Sequence, residues 1–114
     1  MQGAVVSRWT GIVPGREAAA MQLMRDTNAF VDRLVAEGRT TDFAWYLSAH
    51  SGDGFSVARG EMEQLMANTA DQEFLVLITR ASLILTDYSW GFYATGDSVE
   101  PMANLLEQTV GQLG

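Results

Sequence analysis

Cysteine is absent from this sequence of 114 residues. Its absence excludes disulfides, thiolate metal ligands, cysteine nucleophiles and iron–sulfur clusters. A chain of this length buries enough surface to fold without such cross-links. Proteins without cysteine are compatible with a reducing compartment, and we therefore expect a cytoplasmic location.

Lysine is also absent, so all seven basic residues are arginines, against 14 acidic residues and a net charge of −7. The arginines are scattered singly along the chain: Arg8, Arg16, Arg25, Arg33, Arg39, Arg59 and Arg80. Nucleic-acid binding depends mainly on a basic stripe that neutralises phosphates. Without such a stripe, we expect no nucleic-acid partner.

Long apolar runs and catalytic signatures are missing as well. No stretch approaches the ~20 apolar residues that a membrane-spanning helix needs, and no signal peptide is recognisable. The sequence contains no Gly-x-Ser-x-Gly, His-Glu-x-x-His or Walker pattern. Glu61, Glu63 and Glu73 lack the His or Asp neighbours of a metal site. We expect no membrane, metal or cofactor.

Glycine and proline divide the rest of the chain into alternating strand and helix patterns. The first predicted helix runs from Arg16 to Glu37, where apolar residues recur every three or four positions before Gly38. A Gly-rich loop at 51–54 predicts an antiparallel hairpin. The other predicted elements are strands at 3–10, Asp42–His50, Phe55–Arg59 and Asp87–Ala94, and helices at Glu61–Ala67 and from Asp97 to Leu113.

Residues 70–85 allow two interpretations. Thr69-Ala70-Asp71-Gln72 resembles a capping box, and the apolar residues after it fall at helical spacing. The run Phe-Leu-Val-Leu-Ile-Thr is also compatible with a buried strand. Its length favours a helix to about Leu83.

The resulting order, βαββαβ with a further helix, predicts an α+β fold of the ferredoxin-like type. We expect one domain over residues 1–114, a four-stranded antiparallel sheet with the helices on one face, and a C-terminal helix.

Strand alternation predicts one bulky apolar face and one mixed face. We assign Phe43, Trp45, Leu47, Ala49, Phe55, Val57, Arg59, Tyr88, Trp90 and Phe92 to the face under the helices. The tryptophans fit the core pattern there, and the alternative is that they stack on an aromatic ligand. The second face has too few charges for a wetted surface. A second copy of the chain is the simplest cover for it, which predicts a homodimer through the sheet.

The Gly52-Asp53-Gly54-Phe55-Ser56-Val57 hairpin, followed by a Glu61-x-x-x-Leu65 helix, resembles the dimeric α/β-barrel superfamily over residues 3 to about 95. That superfamily includes small antibiotic-biosynthesis-type monooxygenases, muconolactone-isomerase-like proteins and YCII-like proteins. The resemblance implies a pocket between sheet and helices or in the barrel interior, and cofactor-light reactions on small, often aromatic molecules. The His–Asp pair of YCII-like proteins and the Asn/Trp/His set of haem-degrading members are not matched.

His50 is the single histidine and a candidate for proton transfer, with Asp87 or Asp53 as an orienting carboxylate. A half-exposed His50 at a strand end is the simpler interpretation. Hydroxyl-bearing residues share its predicted face: Tyr46, Ser48, Ser56, Ser89 and Tyr93. They fit either a small-ligand pocket or hydroxyls satisfied across a dimer interface.

Two functions follow from these observations. The first is a homodimer of uncharacterised role with a pocket for a small apolar molecule. The second is a cofactor-independent isomerase or monooxygenase acting on a small aromatic or apolar substrate. An enclosed cavity with His50 or Tyr46 pointing into it would favour the enzyme.

Overall fold

The computed structural model describes residues 1–113. Its main sheet contains β1 (Gln2–Trp9), β3 (Asp42–Leu47), β4 (Gly54–Glu61) and β6 (Ser89–Ala94). They lie in the order β3-β4-β1-β6, and every neighbouring pair is antiparallel. This is the split βαβ arrangement, so the predicted α+β fold class is confirmed.

A second, two-stranded sheet was not predicted from the sequence. It pairs β2 (Gly11–Ile12) with β5 (Leu85–Thr86). Each strand has only two residues, which is too short for an alternation pattern to emerge. This pairing fixes the end of β1 beside the chain that leads into β6.

The first helix, α1 (Glu17–Ala36), has the amphipathic form that its sequence predicts. Leu23, Phe30, Val31 and Leu34 are buried along one side. The helix ends before Gly38, whose φ of 73° lies in the left-handed region that glycine adopts without strain.

The ambiguous segment 70–85 is helical. After α2 (Met62–Asn68), the chain turns into α3 (Gln72–Ile84). The N-cap is Asp71, whose carboxylate accepts a hydrogen bond from the Glu73 backbone N–H at 2.9 Å. The hydroxyl of Thr69, the predicted cap, instead donates a hydrogen bond to the Met66 carbonyl at the end of α2.

The main core forms where α1 and α3 pack against each other. Its buried members are Leu23, Phe30, Val31, Leu34, Leu77, Ala81 and Ile84. Phe43 from the sheet packs against this cluster, which places both helices over one face. We call it the covered face and the opposite one the open face.

The predicted faces are correct for β3 and β6 but wrong for β4. Six residues, 48–53, connect β3 to β4, so Leu47 pairs with Gly54 and Trp45 with Ser56. Because directly opposed residues lie on the same face, Ser56 and Ala58 share the covered face with Trp45 and Phe43. Phe55, Val57 and Arg59 therefore lie on the open face instead.

The open face is aromatic and only partly covered in a single copy. Tyr46, Phe55 and Tyr93 are 50%, 41% and 40% exposed. Tyr46 and Phe55 are paired across the strands and stack with ring centroids 4.6 Å apart. The principal charges on this face are Arg8 and the bidentate pair of Arg59 with Asp42.

The C-terminal helix α4 (Val99–Leu113) follows a short 3-10 turn at Gly96–Ser98. Its predicted apolar stripe exists, but no residue of the helix is buried. Among the residues described, no helix is long and apolar enough to cross a membrane.

Leu65→Ala is expected to lower the free energy of unfolding by about 2–5 kcal/mol, because the Leu65 side chain is fully buried and its loss leaves a hole. Urea unfolding followed by circular dichroism measures the change. Leu83→Ala is the matched control, since Leu83 is 64% exposed. Equal losses in the two variants would contradict the packing described.

Candidate functional site

A cavity of about 330 Å³ lies between the covered face of the sheet and the helices. Its lining is mostly apolar. The sheet contributes Val5, Ser7, Trp9, Phe43, Trp45, Leu47, Ser56 and Ala58, and the helices contribute residues that include Ala20, Met24, Thr27, Phe30, Leu65, Phe74 and Ile78. Its volume lies at the lower end of the range of about 300–1,000 Å³ over which small-molecule pockets occur.

Aromatic rings form one wall of the cavity. Trp45 packs edge to face with Phe43, with ring centroids 5.1 Å apart, and with Trp9 at 6.1 Å. The Trp45 indole Nε1 donates a hydrogen bond to the Asn28 side-chain oxygen at 2.8 Å. This bond satisfies the polar edge of the indole and fixes the ring in the wall.

Asn68 is the main buried polar residue lining the cavity near α2. Its amide nitrogen donates to the Arg39 carbonyl at 2.9 Å and to the Thr40 hydroxyl at 3.2 Å. Its oxygen accepts from Arg39 Nε at 3.1 Å and from Gln64 Nε2 at 3.0 Å. With these partners in place, Asn68 joins α2 to the loop before β3 and is a structural group.

A second polar group lies on the sheet. Ser7 and Ser56 are directly opposed on β1 and β4, and both line the cavity. The Tyr88 hydroxyl also lines it and donates a hydrogen bond to Ser7 Oγ at 3.1 Å. Burial raises the pKa of Tyr88, because the apolar surroundings penalise the charged phenolate. Tyr88 is therefore a protonated donor at neutral pH.

The cavity reaches the surface beside the β3–β4 hairpin loop, where the exposed residues Ser48, Ser51 and Asp53 line it. Ser48 Oγ accepts hydrogen bonds from the backbone N–H groups of His50 and Ser51, each at 3.2 Å. The Ser51 hydroxyl donates to the Asp53 carboxylate. These bonds order the loop at the cavity entrance.

The candidate residues from the sequence are spread over three places. Ser48 lies at the cavity entrance, and Ser56 lies inside the cavity. Tyr46, Ser89 and Tyr93 lie on the open face, as the strand registers show. His50 is exposed in the hairpin loop and is not among the residues lining the cavity.

Asp87 adopts a left-handed backbone conformation, with φ of 52°. Its carboxylate accepts a hydrogen bond from the Thr10 hydroxyl at 2.8 Å. Among residues 1–113, no hydrogen bond joins His50 to Asp87 or Asp53, so the predicted imidazole–carboxylate pair is not assembled. In the same range, no group of three His, Asp or Glu side chains is placed to share a metal ion.

Sequence reasoning did not place Ser7, Ser56 and Tyr88 together. The length of the β3–β4 loop could have revealed the position of Ser56. With an even number of loop residues, Ser56 lies opposite Trp45 rather than opposite Tyr46. The Trp45–Asn28 hydrogen bond could not be predicted from the sequence, because it joins a strand to a helix and neither residue belongs to a recognisable local motif.

Solved structures share the fold of this chain. Rv0793 from Mycobacterium tuberculosis superposes with a TM-score of 0.68 at 20% identity, over 85% of this chain and 97% of its own. SnoaB, a cofactor-independent oxygenase from Streptomyces nogalater, superposes with a TM-score of 0.65 at 16% identity, over 86% and 96%. A dimeric ferredoxin-like protein of unknown function from Thermobifida fusca gives 0.62 at 13%, over 82% and 92%.

The chain has a ferredoxin-like fold. The ferredoxin-like fold expected from the resemblance to the dimeric α/β-barrel superfamily is thereby confirmed. No protein-family model matches the sequence, and comparison with curated proteins found no relative.

Tyr88 is expected to make stability depend on pH in the alkaline range. The folded-state pKa of Tyr88 is raised above 10.0. The stabilisation that the protonated phenol gives the folded state is therefore complete below about pH 10, and it is lost as the pH rises through the folded-state pKa. Tyr88→Phe should reduce the fall in unfolding free energy between about pH 9 and about pH 11.

Urea unfolding at both pH values measures this fall, and Tyr46→Phe on the open face is the control. If Tyr88→Phe loses as much stability over this range as the unaltered protein, the buried phenol is not the source.

Proposed function

We propose that this protein binds a small apolar molecule in the cavity between its sheet and helices. The single observation that carries the proposal is a cavity of about 330 Å³ whose lining is apolar apart from a few polar groups. Apolar walls supply affinity by burying ligand surface, and a few polar groups supply orientation. The fixed Trp45 ring and its neighbours Phe43 and Trp9 suit a flat or aromatic ligand.

Ala20→Phe is expected to abolish binding of ethylnaphthalene, a small aromatic hydrocarbon, because the added ring fills the space beside α1 where Ala20 lines the cavity. Isothermal titration calorimetry measures the binding. Ala18→Phe is the matched control, since Ala18 lies on the same helix but is exposed. Equal binding by both variants would place the ligand elsewhere.

A homodimer formed through the open face is the second part of the proposal. The central row of this face, Ala44, Val57, Val6 and Gly91, is uncharged. Exposed aromatic rings flank that row, and the Arg59–Asp42 pair neutralises its own charges at one side. An apolar, weakly charged patch of this kind is typical of an interface. The Thermobifida fusca neighbour, described as dimeric, supports it.

Val57→Glu is expected to convert the dimer to a monomer, because it places a carboxylate in the middle of the proposed interface without a partner. Size-exclusion chromatography with light scattering at micromolar concentration reports the mass. Leu83→Glu, on the exposed side of α3, is the control and should leave the dimer intact. A monomeric unaltered protein would refute this part of the proposal.

The alternative is a cofactor-independent enzyme that acts on the same kind of molecule. SnoaB, one of the structural neighbours, is a cofactor-independent oxygenase. In this chain two of the titratable groups that line the cavity are Tyr88, which bonds to Ser7, and Asp53, which lies at the entrance, while His50 and Tyr46 lie outside the lining. Binding is therefore the better supported function, and a catalytic role would fall to Tyr88 rather than His50.

A further inference from the structure

The polar group on the sheet side of the cavity is small and isolated. Ser7 and Ser56 are directly opposed in the β1–β4 register. The next residues along the covered face on either side are Val5 opposite Ala58 and Trp9 opposite Gly54. Two hydroxyls therefore stand next to each other on an otherwise apolar surface.

The Ser56 hydroxyl has no hydrogen-bond partner among the described residues, although Ser56 is only 6% exposed. Buried hydroxyls nearly always have a partner, because leaving one unpaired costs about 1–3 kcal/mol of desolvation. The Ser56 hydroxyl is not sealed inside the protein, since no fully enclosed side-chain oxygen lacks a partner in residues 1–113. Ser56 lines the cavity, so a molecule bound there can reach its hydroxyl.

The Ser7 hydroxyl is also available for a further hydrogen bond. The Ser7 oxygen accepts a hydrogen bond from the Tyr88 hydroxyl, so the Ser7 O–H remains free to donate one. No acceptor for the Ser7 O–H is found within residues 1–113. A hydroxyl that accepts one hydrogen bond becomes a stronger donor in the next. Ser7 and Ser56 thus offer two adjacent donors.

The charge of the lining decides what these donors bind. No arginine lines the cavity, and its one charged residue, Asp53, is acidic and lies at the entrance. A carboxylate ligand would bring a full negative charge into an apolar space without a cation, which is costly. A carbonyl oxygen is neutral and has two lone pairs, one for each hydroxyl.

We propose that Ser7 and Ser56 together bind the carbonyl oxygen of the ligand, so that the ligand class is an apolar, aromatic molecule that carries a neutral carbonyl group. This inference rests on the proposed function, because it concerns the ligand of the same cavity. It adds which chemical group the ligand carries and which residues select it.

The test compares two probes of similar shape, acetonaphthone with a carbonyl and ethylnaphthalene without one. By calorimetry, the unaltered protein is expected to bind acetonaphthone about threefold to tenfold more tightly, the value of one or two weak hydrogen bonds. Ser56→Ala should bring the two affinities within about twofold by weakening acetonaphthone alone. Ser98→Ala, which removes a buried hydroxyl outside the cavity lining, should keep the preference.

Ser7→Ala provides a second variant in case Ser56→Ala does not fold, and it should lose the preference in the same way. Equal affinities for both probes in the unaltered protein would overturn the carbonyl inference while leaving the binding proposal intact. So would a preference that survives both serine substitutions, or tighter binding of naphthoate than of acetonaphthone. Failure of every probe to bind would instead refute the proposed function itself.

Discussion

The pairing of large with small residues across the covered face is the constraint on which the rest of the structure depends. Trp45 lies opposite Ser56, Phe43 opposite Ala58, and Trp9 opposite Gly54. Gly54 cannot be replaced without rearrangement, since a Cβ atom there would lie 2.7 Å from the Tyr46 carbonyl oxygen and 2.8 Å from the Trp9 ring. The small partners leave room beside the rings, and that room becomes the cavity. A sheet with large residues on both strands would have filled it.

The same register determines the character of the open face. Because Ser56 and Ala58 occupy the covered side of β4, the larger Phe55 and Val57 must face the other way. The hairpin therefore creates two features at once, a cavity under the helices and an aromatic surface away from them. The proposed ligand site and the proposed dimer interface have one structural origin, and a shift of one residue in β4 would remove both.

Local sequence patterns were sufficient for most of the fold. The spacing in α1 and the glycine after it define a helix without help from the rest of the chain, and α3 emerged from the length of its apolar run. The β4 faces were wrong because a strand of mixed residues has no internal signal for which side is buried. Only the pairing with β3, which depends on the length of the connecting loop, decides which alternate residues of β4 face the helices.

The site was harder to predict for the same reason. A histidine attracts attention by its chemistry, yet His50 lies in an exposed loop because the strand ends at Leu47. Ser7 and Ser56 are inconspicuous in the sequence and are separated by almost half of the chain. The two serines are neighbours because of the β1–β4 register. They are notable because the residues around them in the cavity lining are mostly apolar, and that surrounding exists only once the sheet has formed.

All three indoles of the chain lie on one side of the sheet. Trp9 and Trp45 line the cavity, and Trp90 packs edge to face against Phe74 of α3, itself a lining residue. The tryptophan fluorescence of the unaltered protein therefore originates on the helix side of the sheet, although Trp90 is 36% exposed. Its emission will report on what enters or leaves the layer between sheet and helices and will be nearly silent about events on the opposite surface.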